Sequence, residues 1–78
     1  MRLIPLSDIK KGEKAVIREI KTCEKLRQRL MDMGFVEGTE VRCVRISPFG
    51  DPKAFLVRGS VIALRSENSS GILGVKIP

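Results

Sequence analysis

The chain has 78 residues, with 15 Lys plus Arg against 9 Asp plus Glu, a formal charge of +6, and no His, Trp or Tyr. That length leaves room for one small core, because short chains bury only about 60% of the surface they expose when unfolded, and it excludes an enzyme with a separate cofactor domain. The missing histidines remove the commonest metal ligand and the usual general base at neutral pH.

A hydrophobic fraction of 42% with 31% charged residues fits a folded domain and argues against disorder. Cys23 and Cys43 are too few for a cage of sulfurs around a metal or for a disulfide scaffold. No stretch approaches the roughly 20 apolar residues of a membrane span; the longest apolar run near the end of the chain is Val61-Ile62-Ala63-Leu64. The opening Met1 to Asp8 has no long apolar region before its charges, unlike a secretory signal. The expectation is a cytoplasmic protein with reduced cysteines, one domain over 1–78 and no membrane insertion.

In chain order, Leu6 to Gly12 reads as a single helical turn closed by glycine. Glu13 to Lys21 carries Ala15, Val16, Ile17 and Ile20, enough β-branched content for a strand. Thr22 to Met33 changes period: Cys23, Leu26, Leu30 and Met33 share one face of a helix, with Thr22 as its cap and Gly34 as its left-handed terminator. This is the one helix the pattern predicts. Val41-Arg42-Cys43 and Val44-Arg45-Ile46 then alternate in opposite phases, which predicts a strand with a bulge. The turn Pro48 to Pro52 leads into a strand over Lys53 to Arg58, and Gly59-Ser60 returns it as Val61 to Arg65. Ser66 to Ser70 reads as a polar loop, and Ile72 to Ile77 as a last strand with Gly74 inside it. The sum is a mainly β chain, a small barrel of about five strands with one short α-helix between the first two main strands.

The run from Leu26 to Thr39, the Pro48-Phe49-Gly50-Asp51-Pro52 cluster, Arg58-Gly59, Ala63-Leu64-Arg65, Pro5-Leu6-Ser7-Asp8 and Lys11-Gly12 together resemble the FeoA family. The resemblance covers nearly the whole chain in order. It implies an SH3-like barrel and an accessory role in bacterial ferrous iron uptake beside the membrane GTPase-transporter FeoB, with the cytoplasmic region of FeoB as partner. The same domain type also occurs at the C-terminus of iron-dependent repressors related to the diphtheria toxin repressor, which add a helix-turn-helix module absent from this sequence. Two positions depart from the family pattern. Ser60 stands where an aromatic often follows the Arg-Gly, and Asn68-Ser69-Ser70-Gly71 replaces an alanine-containing helical turn, which predicts a less aromatic and more flexible surface.

Candidate contact residues follow from chemistry. Arg27 and Arg29 fall on the polar side of the helix, and Arg58 and Arg65 on the paired strands. A guanidinium makes paired hydrogen bonds to carboxylates and phosphates, and one supplied in trans stabilises a GTPase transition state. The bland alternative is a solvated helix face that pairs locally with Glu24 or Asp32. The helix stripe Leu26, Leu30 and Met33 is by default core, but one helix on a small barrel leaves a groove beside it, and if Leu26 or Met31 is partly exposed there it makes a socket for a partner's apolar side chain. Phe49 lies in a Pro/Gly loop and either projects as an apolar contact or folds back over the barrel end.

Other functions have less behind them. Cys23 and Cys43 both fall at inward phases and behave as small apolar residues, so neither a metal site nor a cofactor is expected. Proline-rich peptides dock on aromatic-lined grooves, which three Phe and no Tyr or Trp cannot supply in the usual way. A nucleic-acid-binding barrel is the main rival, given the charge. Against it, Glu13, Glu19, Glu24, Glu37 and Glu40 break up the positive stretches, and stacking aromatics are scarce. A metal-responsive regulatory domain is the third reading, by way of the repressors. No catalytic constellation appears, so an enzyme is not expected. Self-association through an exposed strand edge stays open.

Overall fold

Alternating and β-branched segments form most of the chain's strands, and the computed structural model describes residues 2–78. The first position of the expected 1–78 domain therefore lies outside the described residues. The elements are β1 (Ile4–Pro5), a 3-10 turn (Leu6–Asp8), β2 (Lys14–Ile20), α1 (Glu24–Asp32), β3 (Glu40–Ile46), β4 (Lys53–Val57), β5 (Ser60–Leu64), α2 (Ser66–Ser69) and β6 (Ile72–Ile77). They make one antiparallel sheet in the order β1-β6-β2-β3-β4-β5. The sixth strand beyond the expected five is the two-residue β1. The helix α1 lies between β2 and β3, as the sequence pattern predicts.

Two register shifts curl the sheet. One falls between Ile17 and Glu19 in the β2–β6 pairing, the other between Cys43 and Arg45 in the β3–β4 pairing. The second is the bulge expected from the phase slip: Val41 and Cys43 point inward, and the extra residue Val44 is only half-buried. Side chains from every major element meet inside. Leu6 and Ile9 come from the first turn, Ile17 from β2, Leu30 from α1, Val41 from β3, Phe55 from β4 and Ile72 from β6, all buried. Lys53 Nζ ties the first turn down by donating to the carbonyls of Ser7 (2.6 Å) and Ile9 (2.8 Å).

The end of α1 is a Schellman closure. Gly34, at φ 107, donates its N–H to the Met31 carbonyl, and the Phe35 N–H reaches back to Leu30 at 3.0 Å. Leu30 and Phe35, both fully buried, supply the apolar contact that accompanies this motif. The start differs from expectation. Cys23, not Thr22, holds the N-cap position, with extended backbone (φ −65°, ψ 154°) and no side-chain cap bond. Cys23 thus lies outside the helical period and is exposed, a correction to its inward assignment, whereas Cys43 is buried as expected. Met33, expected on the inward face, is the C-cap residue and is turned partly outward (39% exposed).

The segment after β5 also differs from the polar loop expected there. Ser66–Ser69 forms the helical turn α2, with Asn68 and Ser69 both donating N–H groups to the Arg65 carbonyl at 2.9 Å. Its start is capped from outside. Asp51 Oδ1, in the β3–β4 loop, accepts the Ser66 N–H at 2.7 Å, and Ser69 is buried.

Three outcomes follow for the fold. Gly74 pairs with Ile17, and a Cβ there would sit 2.7 Å from the Val16 carbonyl oxygen. Gly74→Ala must force β2 and β6 apart, so its urea midpoint should drop by the equivalent of about 1–3 kcal/mol. Glu13 accepts from Lys76 Nζ (2.7 Å) and from the Lys10 N–H (2.6 Å), and these bonds, led by that to Lys76, hold its carboxyl below the usual 4.5. A carboxyl depressed in the folded state adds stability above its unfolded pKa and loses it as pH falls through the folded value. The acid limb of a Tm-against-pH curve below 4.5 should therefore be shallower in Glu13→Gln than in the parent. Burial pushes the Cys43 thiol up, while Cys23 is open to solvent. A thiol-reactive chromophore should label Cys23 in the native protein and Cys43 only after unfolding.

Candidate partner-docking surface

The helix α1 meets the barrel along a narrow ridge, because Leu30 is its one fully buried side chain. A groove opens on each side. Toward β2, a groove of about 510 Å³ is lined by Arg18, Glu19 and Ile20 of the strand, Arg27 and Met31 of α1, and Val36 and Glu37 of the following turn. Toward β5, a slot of about 320 Å³ is lined by Leu26, Arg29 and Leu30 of α1, its C-cap Met33, Ala63 and Leu64 of β5, and Asn68 of α2.

The helical period therefore divides the expected contact residues. Arg27 and Met31, one turn apart, share the groove by β2; Leu26 and Arg29 share the slot by β5. Arg58 borders the slot: its Cδ lies 3.4 Å from where a Cβ on Gly34 would sit, just beyond Met33. Arg65 caps α2 at the other end and is exposed. Phe49 lines neither groove. It stands 94% exposed at the tip of the β3–β4 loop, so it projects and does not fold over the barrel end.

Ion pairs among the described residues are Lys21–Glu19 and Lys76–Glu13. The local pairing of Arg27 or Arg29 with Glu24 or Asp32 does not form; Asp32 accepts from Gln28 Nε2 instead, at 3.1 Å. The guanidinium groups of Arg27, Arg29, Arg58 and Arg65 are thus available for carboxylates brought from elsewhere. No group of three or more His, Cys, Asp or Glu side chains comes together among the described residues, and neither groove has an aromatic lining residue. The groove by β2 offers apolar contact among charges of both signs, and the slot by β5 offers apolar contact beside a cation. Arg18, Val36, Met33, Ala63 and Asn68 belong to it without having been singled out from the sequence. Met33 had been assigned to the core, and the others become neighbours only through tertiary folding.

Comparison with known proteins agrees with this architecture. The FeoA domain profile matches residues 4–76. A Fe(2+) transport protein A/Fe(2+) transporter FeoB fusion protein of Porphyromonas gingivalis is 31% identical over 67 residues, which is 86% of this chain; the chain spans only 8% of that protein. The solution structure of a FeoA-like protein from Clostridium acetobutylicum superposes with a TM-score of 0.91 at 32% identity, covering 100% of this chain and 91% of that one. The zinc-complexed FeoA of Stenotrophomonas maltophilia, described as a prokaryotic SH3 domain protein, gives 0.81 at 28% identity over 91% of this chain and 88% of its own. Among the described residues no helix is long and apolar enough to cross a membrane. With its SH3-like sheet, its single substantial helix and a family match over nearly its full length, the chain belongs to the FeoA domain family, which is associated with ferrous iron transport.

Proposed function

We propose that this chain is a small, non-enzymatic cytoplasmic domain that docks on the cytoplasmic region of FeoB and modulates its transport or GTPase activity during ferrous iron uptake. The observation that carries the reading is the fusion: a relative 31% identical to this chain is joined to FeoB in one polypeptide. Joining two partners covalently raises their effective concentration without requiring a new contact. The arginines on either side of α1 have no ion-pair partner among the described residues and are open to carboxylates on such a partner.

A titration of labelled protein against the purified cytoplasmic region of FeoB tests this, with an oligonucleotide control at low and physiological salt. Saturable binding to the transporter region alone is expected. Replacing Arg27, Arg29, Arg58 and Arg65 together by Ala should weaken it by roughly tenfold or more while leaving the circular dichroism spectrum unchanged. Binding to the oligonucleotide alone, falling steeply with salt as counterion release requires, would overturn the proposal.

A further inference from the structure

The strand β5 ends the sheet and pairs with β4 on one side only. The β4–β5 hairpin turns through Arg58 (φ 51) and Gly59 (φ 80), with Val57 opposite Ser60 as the closing pair. Two-residue hairpins of this kind close on a hydrogen-bonded pair, and bonded and non-bonded pairs alternate beyond it. Leu56 with Val61 and Ala54 with Ala63 are therefore the non-bonded pairs. Val61 and Ala63 direct their N–H and C=O groups away from β4, and no other element among the described residues bonds to them. Val61 is also 60% exposed and sits beside the exposed Leu56.

This edge has a wall beside it. Ala63 and Leu64 line the slot whose other side is Leu26 and Arg29 of α1 and its C-cap Met33. Arg58 stands at one end, against Gly34, and Arg65 follows the other end of β5. Neither these two nor Arg29, the one charged lining residue, makes an ion pair among the described residues. Open backbone groups, a half-apolar wall and unpaired cations at both ends and in the middle specify an occupant.

We infer that the slot between β5 and α1 receives an extended acidic segment of a partner protein. The segment adds a strand to β5, sets apolar side chains against Leu26 and Met33, and offers carboxylates to Arg29, Arg58 and Arg65. Strand addition of this kind takes affinity from main-chain bonds and specificity from alternate side chains. A second copy of the chain is a poor occupant. Its β5 stretch, Arg58 to Ser66, carries two arginines and no acid, so it offers no carboxylate to Arg29, Arg58 or Arg65. A nucleic acid has no backbone to match the strand edge and finds no aromatic here on which to stack. The inference rests on the docking reading above and gives the docked segment its chemistry.

The probe is a capped, fluorescent peptide about eight residues long, alternating Glu and Val, a length typical of a strand. Saturable binding is expected, with backbone amide shifts confined to α1 with its C-cap Met33 and to the stretch from Arg58 to Asn68. Ala63→Pro removes an outward N–H without breaking a bond to β4, and Arg29→Glu reverses the charge in the wall; each should weaken binding by roughly tenfold. A Lys/Val peptide, or the Glu/Val peptide N-methylated at alternate residues, should not bind. Equal binding of either control, shifts elsewhere on the protein, displacement by a single-stranded oligonucleotide, or a dimer in sedimentation that Ala63→Pro abolishes would overturn the inference. Challenge with the FeoB region separates the two readings. Transporter binding that leaves the peptide in place overturns the slot as the docking site and spares the docking reading. Peptide binding with no transporter binding does the reverse.

Discussion

Leu30 carries α1. It is the only side chain of that helix wholly removed from water, and its carbonyl also accepts the Phe35 N–H that closes the helix end. One leucine and the phenylalanine after it thus fix both the seat and the exit of α1 on a core drawn from the strands. A helix with a wider apolar stripe would bury its flanks against the barrel. Because the contact here is a ridge, the flanks stay open, and both grooves owe their existence to it. The surface available to a partner is set by how little of α1 the core takes.

The two grooves differ in electrostatic character. Beside β2, Arg18 and Arg27 face the same cleft as Glu19 and Glu37, so cations and anions are matched in number. Beside β5, Arg29 is the one charged lining residue, and Arg58 and Arg65, which flank β5 in sequence, have the same sign. A balanced cleft discriminates weakly between ligands of either sign, whereas an unbalanced one rejects cations and favours anions. The charge of +6 alone could not separate these cases, since it is a property of the whole chain.

Features encoded by neighbours in sequence were legible before the fold was known. The bulge at Cys43/Arg45 is written as a slip in alternation, the end of α1 as Gly34, and the β4–β5 hairpin as Gly59 after an apolar run. What was not legible depends on distant partners. The short β1 is too brief for any period to show and exists because β6 lies beside it. Four polar residues became the helical turn α2 because Asp51, 15 residues earlier, caps it. Cys23 looked inward only while the helix was taken to begin at Thr22. The candidate residues themselves were chosen by chemistry, and their split between two grooves follows from helical spacing. That β5 and α2 would form the far wall of one groove is a consequence of topology, which spacing along α1 does not reveal.

The bond from Asp51 to Ser66 links the β3–β4 loop to α2 just beyond the Lys53–Leu64 pair that ends the β4–β5 ladder. On one side is the loop that displays Phe49; on the other is α2, whose Asn68 stands in the wall of the slot. With so short a helix, losing its cap loosens most of its length at once. Beyond the strand ladder, the loop of the projecting phenylalanine and the slot wall are joined by that one carboxylate. Two surfaces that look separate on the map of the molecule share a joint.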